Sequence, residues 1–378
     1  RWGNTLHDHR ELAAPDGYVT DQEPQEFTFE YQGSGTSVAE YAFTFEDEQT
    51  TVELSKADLT DKKELPGASL KVTDEDGNTV DEWVSKEEAH IIKGLIVGKK
   101  YKMTETKPAD GYVTAESIEF TVENTKEVQK HQMLDDVTKV EISKKDITDS
   151  SEVPGAKLII LDKDGKKVES WTSTDKPHMV EKLPVGEYTL REEQAPDGYL
   201  IAEDVKFTVK DTGKVQKVKM KDAHPYGKLV IKKTDSTSKA ALSGAEFELR
   251  EKESGKVVEK LVTDKTGTAT SGKIPIATYK NGKVEKTVEY ILVETKAPNG
   301  YELSSKKEEI RFEYKDGKTK VIEIVKEIKN TKSPSGSTPT GNSPKTGDST
   351  NIWLPILLAV LSACGIGGVI WYKKKKGN

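Results

Sequence analysis

The run Thr51–Lys56, TVELSK, alternates polar and apolar residues, and its apolar face ends in a lysine. A β-strand sends successive side chains to opposite faces, so Val52, Leu54 and Lys56 point the same way. The pattern returns as Val140, Ile142, Lys144 and again as Leu229, Ile231, Lys233. A second kind of strand carries Tyr101, Met103, Glu105, then Tyr188, Leu190, Glu192, then Tyr290, Leu292, Glu294. A third ends in Met133 and Asp135, Met220 and Asp222, Ile328 and Asn330. An ionised lysine or glutamate is costly to bury, so one such residue would be an oddity. Three of each, in fixed order, point to a shared purpose.

The spacing makes these strands parts of a repeat. Lys56 to Lys144 spans 88 residues and Lys144 to Lys233 spans 89. Within each unit a Gly-Ala pair follows the lysine strand (Gly67-Ala68, Gly155-Ala156, Gly244-Ala245), and a hairpin turn follows at Asp76-Gly77, Asp164-Gly165 or Ser254-Gly255. The glutamate strand then runs into ETKPADGY, EEQAPDGY or ETKAPNGY, whose Pro and Asp-Gly or Asn-Gly mark a turn. Short strands between turn signals, with no helical period, predict an all-β chain of tandem β-sandwich modules. The expected modules are 50–137, 138–225 and 226–331, the last carrying an insertion around Ser271–Lys286. Residues 1–49 fit the C-terminal part of a truncated module. They hold ELAAPDGY (Glu11 to Tyr18), then Phe43, Phe45 and Asp47 on one strand face.

Composition narrows the function. With 33% charged residues and a net charge of −7, the chain suits several small modules and shows no basic face for nucleic acid. The only cysteine, Cys364, excludes a disulfide within the modules. The opening RWGNTLHDHR has no hydrophobic run and no initiator methionine, so the chain reads as a fragment whose export signal lay upstream. From Lys332 the sequence turns to Ser, Pro, Thr and Gly, a linker leading to SPKTG, Ser343–Gly347 (332–346 as linker and motif). In 347–378, the 21 mostly apolar residues Ile352–Tyr372 are long enough for a transmembrane helix. Lys373–Lys376 hold that end in the cytoplasm and argue against a glycolipid-anchor signal.

Buried among apolar side chains, a lysine amine loses its proton more readily and a carboxylic acid keeps its own. A glutamate beside them can polarise a carbonyl and pass protons between amine and leaving group. A lysine and a neighbouring Asp or Asn side chain could then form an amide, losing water or ammonia, in a single turnover. A buried ion pair, or strand-end lysines reaching back to water, is the competing account, and it would suffice for one module alone. Threefold recurrence favours the reactive one.

The units resemble the collagen-adhesin B-type, or SpaA-type, domains of Gram-positive surface proteins and pilins, through the ETxAPxGY-like motifs that begin at Glu105, Glu192 and Glu294, with Glu11 in the broken unit. The resemblance implies immunoglobulin-like sandwiches in which that glutamate promotes an isopeptide bond between a first-strand lysine and a last-strand Asn or Asp. By position the pairs are Lys56–Asp135, Lys144–Asp222 and Lys233–Asn330, with Asp47 an acceptor lacking its partner. The first motif exchanges Pro and Ala, and His7 and His9 replace the Tyr and apolar residue ahead of Glu11. The tail resembles a sortase sorting signal with Ser343 in place of leucine, followed by Pro344, Lys345, Thr346 and Gly347. That implies cleavage after Thr346, whose carboxyl is joined to peptidoglycan.

Weaker signals have plainer explanations. His7-Asp8-His9 has no third metal ligand, Asp74, Asp76 and Asn78 fit a hairpin turn better than a calcium loop, and Tyr279-Lys280-Asn281 fits a hairpin tip at Asn281-Gly282. No cofactor or metal and no multiple-turnover enzyme is indicated. The expectation is the wall-proximal stalk of a sortase-anchored surface adhesin, its host or matrix ligand bound by an upstream region. A sortase-polymerised pilin subunit, or a stalk displaying an upstream surface enzyme, is the alternative.

Overall fold

The computed structural model describes residues 6–28, 35, 40 and 42–334, so the motif Ser343–Gly347, Cys364 and the apolar run Ile352–Tyr372 lie outside the described residues. Every regular element among the described residues is a β-strand. Each repeat is a sandwich of two sheets. In the first repeat the lysine strand Thr51–Asp58 lies between His90–Lys93, antiparallel, and the acceptor strand Gln129–Asp135, parallel. The facing sheet has the order Thr79–Val84, Ser69–Thr73, Lys100–Lys107, Ile118–Thr121, with the glutamate strand third.

The second repeat copies this plan, with Lys139–Asp146 between His178–Glu181 and Gln216–Asp222. In the third, Tyr226–Asp235 pairs in parallel with Val321–Asn330 over its whole length. The inward face of each lysine strand joins a separate apolar core. Val52, Leu54, Met103 and Met133 belong to one, Val140, Ile142, Leu190 and Met220 to the next, and Leu229, Ile231, Phe247 and Leu292 to the third. Parallel pairing of first and last strands puts the ends of both, and so the lysine and its acceptor, at one end of the sandwich.

The expected turns form as turns. Asp74 Oδ1 accepts from the N–H groups of Asp76 and Asn78, which holds the hairpin around Gly77. The insertion in the third repeat is a hairpin, Ala277–Lys280 with Lys283–Thr287, and Asn281 (φ 52°) and Gly282 (φ 68°) occupy its tip, as a primed two-residue turn requires. In the first stretch, Leu6–His9 pairs with Gln25–Thr28. The expected strand through Phe43 and Asp47 is absent: Ala42–Glu48 keeps the alternation, with Phe43, Phe45 and Asp47 half-buried, but carries no ladder. In the full repeats this strand hydrogen-bonds to a lysine strand, and no described strand forms a ladder with Ala42–Glu48.

Neighbouring repeats meet at the Asp-Gly-Tyr loops. A Cβ on Gly111 (φ 85°) would stand 2.4 Å from the Lys182 carbonyl oxygen, so only glycine fits there. Lys182 is itself left-handed at φ 62°, and its Nζ reaches back to Tyr112 Oη at 2.6 Å and Asp58 Oδ2 at 3.4 Å. At the next junction the inserted hairpin takes over. Tyr279 stacks on His224 with ring centroids 3.4 Å apart and donates its hydroxyl to the Gly198 carbonyl at 2.8 Å.

Candidate crosslinking sites

Lys56, Lys144 and Lys233 are among the largest fully buried side chains of the protein. The alternation that buries Val52 and Leu54 carries Lys56 into the same interior, where strand pairing leaves it no path to water. In each repeat Nζ donates to the acceptor side chain: Lys56 to Asp135 Oδ1, Lys144 to Asp222 Oδ1 and Lys233 to Asn330 Oδ1. The glutamate comes across from the facing sheet. Lys56 Nζ lies 3.0 Å from Glu105 Oε1, Lys144 Nζ 3.1 Å from Glu192 Oε2, and Lys233 Nζ 3.0 Å from Glu294 Oε1. Each glutamate is fixed by a backbone N–H ten residues on. Ala115 donates to Glu105 Oε2 at 2.6 Å, Ala202 to Glu192 Oε2 at 2.6 Å and Ser304 to Glu294 Oε2 at 2.8 Å.

The electrostatics follow from burial. Loss of solvation pushes the Asp135 and Asp222 carboxyls up to about 7, against the opposing pull of Lys56 and Lys144. Asp135 Oδ2 and Asp222 Oδ2 are buried with no hydrogen-bond partner, a costly state for an ionised oxygen. Burial likewise pulls the Lys233 ammonium below the usual lysine range. In the third repeat Asn330 Nδ2 donates to Glu294 Oε1 at 3.0 Å and Oε2 at 3.1 Å, so one carboxyl touches both amine and carboxamide nitrogen.

Glu11 and Asp47 occupy a matching frame. Asp21 N–H donates to Glu11 Oε2 at 2.7 Å, again ten residues on. Val19 N–H donates to Glu48 O at 2.8 Å, as Val113 does to Asp136 O and Glu302 to Thr331 O, each one residue past the acceptor position. Asp47 Oδ1 is buried without a hydrogen-bond partner.

A second polar pair, buried in the first two repeats and half-buried at Tyr301 in the third, accompanies each site and is not among the residues the sequence patterns single out. Tyr112 Oη donates to Asp58 Oδ2 at 2.7 Å, Tyr199 to Asp146 at 2.8 Å and Tyr301 to Asp235 at 2.8 Å. Burial works to raise the Asp58 carboxyl, but the Tyr112 hydroxyl and the N–H groups of Thr60 and Asp61 hold it down at about 2. The signal was there: an aspartate follows each lysine by two residues, in Lys56-Ala57-Asp58, Lys144-Lys145-Asp146 and Lys233-Thr234-Asp235.

The SpaA family, a prealbumin-like fold domain, matches residues 50–136, 138–224 and 227–328, and the chain belongs to that family. Among solved structures it is similar to the Bacillus anthracis TIE protein, with 25% identity and a TM-score of 0.50, over 83% of this chain and 55% of that one. The chain thus spans little more than half the length of that relative. It is also similar to BcpA, the major pilin subunit of Bacillus cereus (19% identity, TM-score 0.45, 75% of this chain and 99% of that one). A third likeness is to the major pilin SpaD from Corynebacterium diphtheriae (18% identity, TM-score 0.36, 76% and 98%). No curated protein matches.

Proposed function

We propose that the three repeats are self-crosslinking load-bearing modules, joined internally by amide bonds between Lys56 and Asp135, Lys144 and Asp222, and Lys233 and Asn330. The observation that carries this reading is the contact of Glu294 with both Lys233 Nζ and Asn330 Nδ2. The unprotonated amine attacks the Asn330 side-chain carbonyl carbon and Nζ–C forms. The glutamate relays a proton from Nζ to Nδ2, the C–Nδ2 bond breaks, ammonia leaves, and the glutamate ends unchanged. In the other two repeats the same relay releases the acid's hydroxyl as water. A carboxylate resists attack, whereas a neutral acid with a pKa of about 7 does not, which supports Asp135 and Asp222 as electrophiles. Each module reacts once, on itself.

SpaA-type modules in tandem, each with such a site, fit the stalk of a Gram-positive surface protein. In this reading sortase cuts at Thr346–Gly347 and joins Thr346 to peptidoglycan, and an upstream region binds the host or matrix ligand. The repeats are bounded at 50–137, 138–225 and 226–331. The test is the intact mass of residues 50–332 produced alone. Two waters and one ammonia should be missing, and alanine at Glu105, Glu192 or Glu294 should restore one loss each. A mass equal to that of the sequence refutes the crosslinks.

A further inference from the structure

We infer that the tyrosine–aspartate pair of each repeat is a clasp that positions the proton-relaying glutamate, with Tyr112, Tyr199 and Tyr301 and their aspartates as positioning residues for the amide-forming reaction. The inference rests on the crosslinking reading above. Asp235 lies two residues after Lys233, on the same strand face. One of its oxygens accepts from the N–H groups of Thr237 and Ser238 at 2.8 and 2.7 Å, which ties it to the turn that ends the lysine strand. The other oxygen takes the Tyr301 hydroxyl.

Tyr301 stands seven residues after Glu294, and three residues further on Ser304 N–H grips the Glu294 carboxyl. Between them, Glu302 N–H is bound to the carbonyl of Thr331, next to the acceptor Asn330. The loop that holds the glutamate is therefore pinned on one side to the lysine strand and on the other to the acceptor strand. The same offsets recur with Tyr112, Val113 and Ala115, and with Tyr199, Leu200 and Ala202. A hydrogen bond to an ionised, buried carboxylate is among the stronger neutral-to-charged contacts, so it can hold the glutamate within reach of both nitrogens.

The third repeat permits a clean test, because it alone loses ammonia and the other two lose water. The full chain is made by cell-free translation, quenched in denaturant at intervals and weighed intact. Tyr301→Phe should slow the ammonia loss about tenfold or more, while both water losses keep the wild-type pace as internal controls. Asp235→Asn, which keeps an acceptor for the hydroxyl, should slow it less than Asp235→Ala. Ile310→Val, which trims the core of the same repeat away from the clasp, should leave the rate unchanged. An unchanged rate in Tyr301→Phe, or equal slowing in Ile310→Val, overturns the clasp. A wild-type chain that loses neither water nor ammonia overturns the crosslinking reading instead.

Discussion

Replacing Glu192 with glutamine keeps an oxygen to accept from Ala202 N–H and leaves Lys144 and Asp222 paired in place, but removes the group proposed to relay the proton. The second repeat should then fold without its bond. Lys144 and Asp222 are 78 residues apart in sequence, so the bond closes nearly the whole repeat into one loop. By the chain-entropy relation for crosslinks, a closed loop of this size stabilises by about 4.5 kcal/mol at 25 °C. A domain of this size loses about 4–8 °C of Tm per kcal/mol. The second repeat should therefore melt roughly 20–35 °C lower than in the wild type. Scanning calorimetry of residues 50–332 reads the shift, and the intact mass of the same sample, heavier by about one water than the wild type, certifies the missing bond. If the bond is missing and the transition moves by less than about 5 °C, the loop-closure account is wrong. If the water is still lost, Glu192 is not the relay.

The pH dependence of bond formation should separate the repeats. The Asp135 and Asp222 acids are neutral below about 7 and become carboxylates above it, so the water losses should fall behind the ammonia loss, by up to about tenfold per unit, as pH rises past 7. Asn330 has no acid to titrate and the lowered Lys233 amine gains free base as pH rises, so the ammonia loss should not slow; mass spectrometry of freshly translated chain at pH 6 to about 9 reads both. At the first junction, Lys182→Ala keeps the left-handed strain and loses a half-exposed ion pair. It should cost about 1 kcal/mol by denaturant titration, and Lys182→Gly should be nearly neutral because relief of strain offsets the lost pair. Single-molecule stretching of residues 50–332 should show almost no unfolding extension at forces that extend the Lys56→Ala, Lys144→Ala and Lys233→Ala variants. Deleting Ser343–Gly347 should abolish covalent recovery of the protein with peptidoglycan; persistence of wall attachment would rule out the sorting motif.

Much of the site is legible from two periodicities. Alternation along TVELSK puts Lys56 with Val52 and Leu54, and the structure buries all three together. The return of the pattern after 88 and 89 residues marks the repeats, and Asn281-Gly282 marks its hairpin tip. What stayed hidden depends on partners far away in sequence. Nothing local says that the first and last strands pair in parallel, yet that pairing brings Lys144 to Asp222. Asp58 shares the inward face of Lys56 by the same alternation, but its purpose appears only when Tyr112, 54 residues on, folds over it. The strand expected through Phe43 and Asp47 fails for the converse reason: the local pattern is present and the neighbouring strand is not among the described residues. Lys182 in a left-handed conformation is likewise unpredictable from its neighbours, because contacts to the preceding repeat hold it there.

The proposed bond would give the topology shared by all three repeats a mechanical purpose. In the first repeat the chain enters at Thr51 and leaves after Asp135, along two parallel neighbouring strands. Tension on the chain therefore shears these two strands against each other along their length. Without a bond, resistance would rest on the ladder between them and on the sheets packed around it. Lys56 lies near the end of the entering strand and Asp135 ends the leaving one. An amide between them, as proposed, would carry the load from Thr51 along a few residues of strand to Lys56, across, and out. Everything from Ala57 to Leu134, including the whole facing sheet, would be bypassed. Those residues would then be free of mechanical duty and need only keep the glutamate, the lysine and the acceptor dry and together while the proposed bond forms. Compliance is left to the junctions, where Gly111 packs on Lys182 and Tyr279 stacks on His224 through contacts that are not covalent.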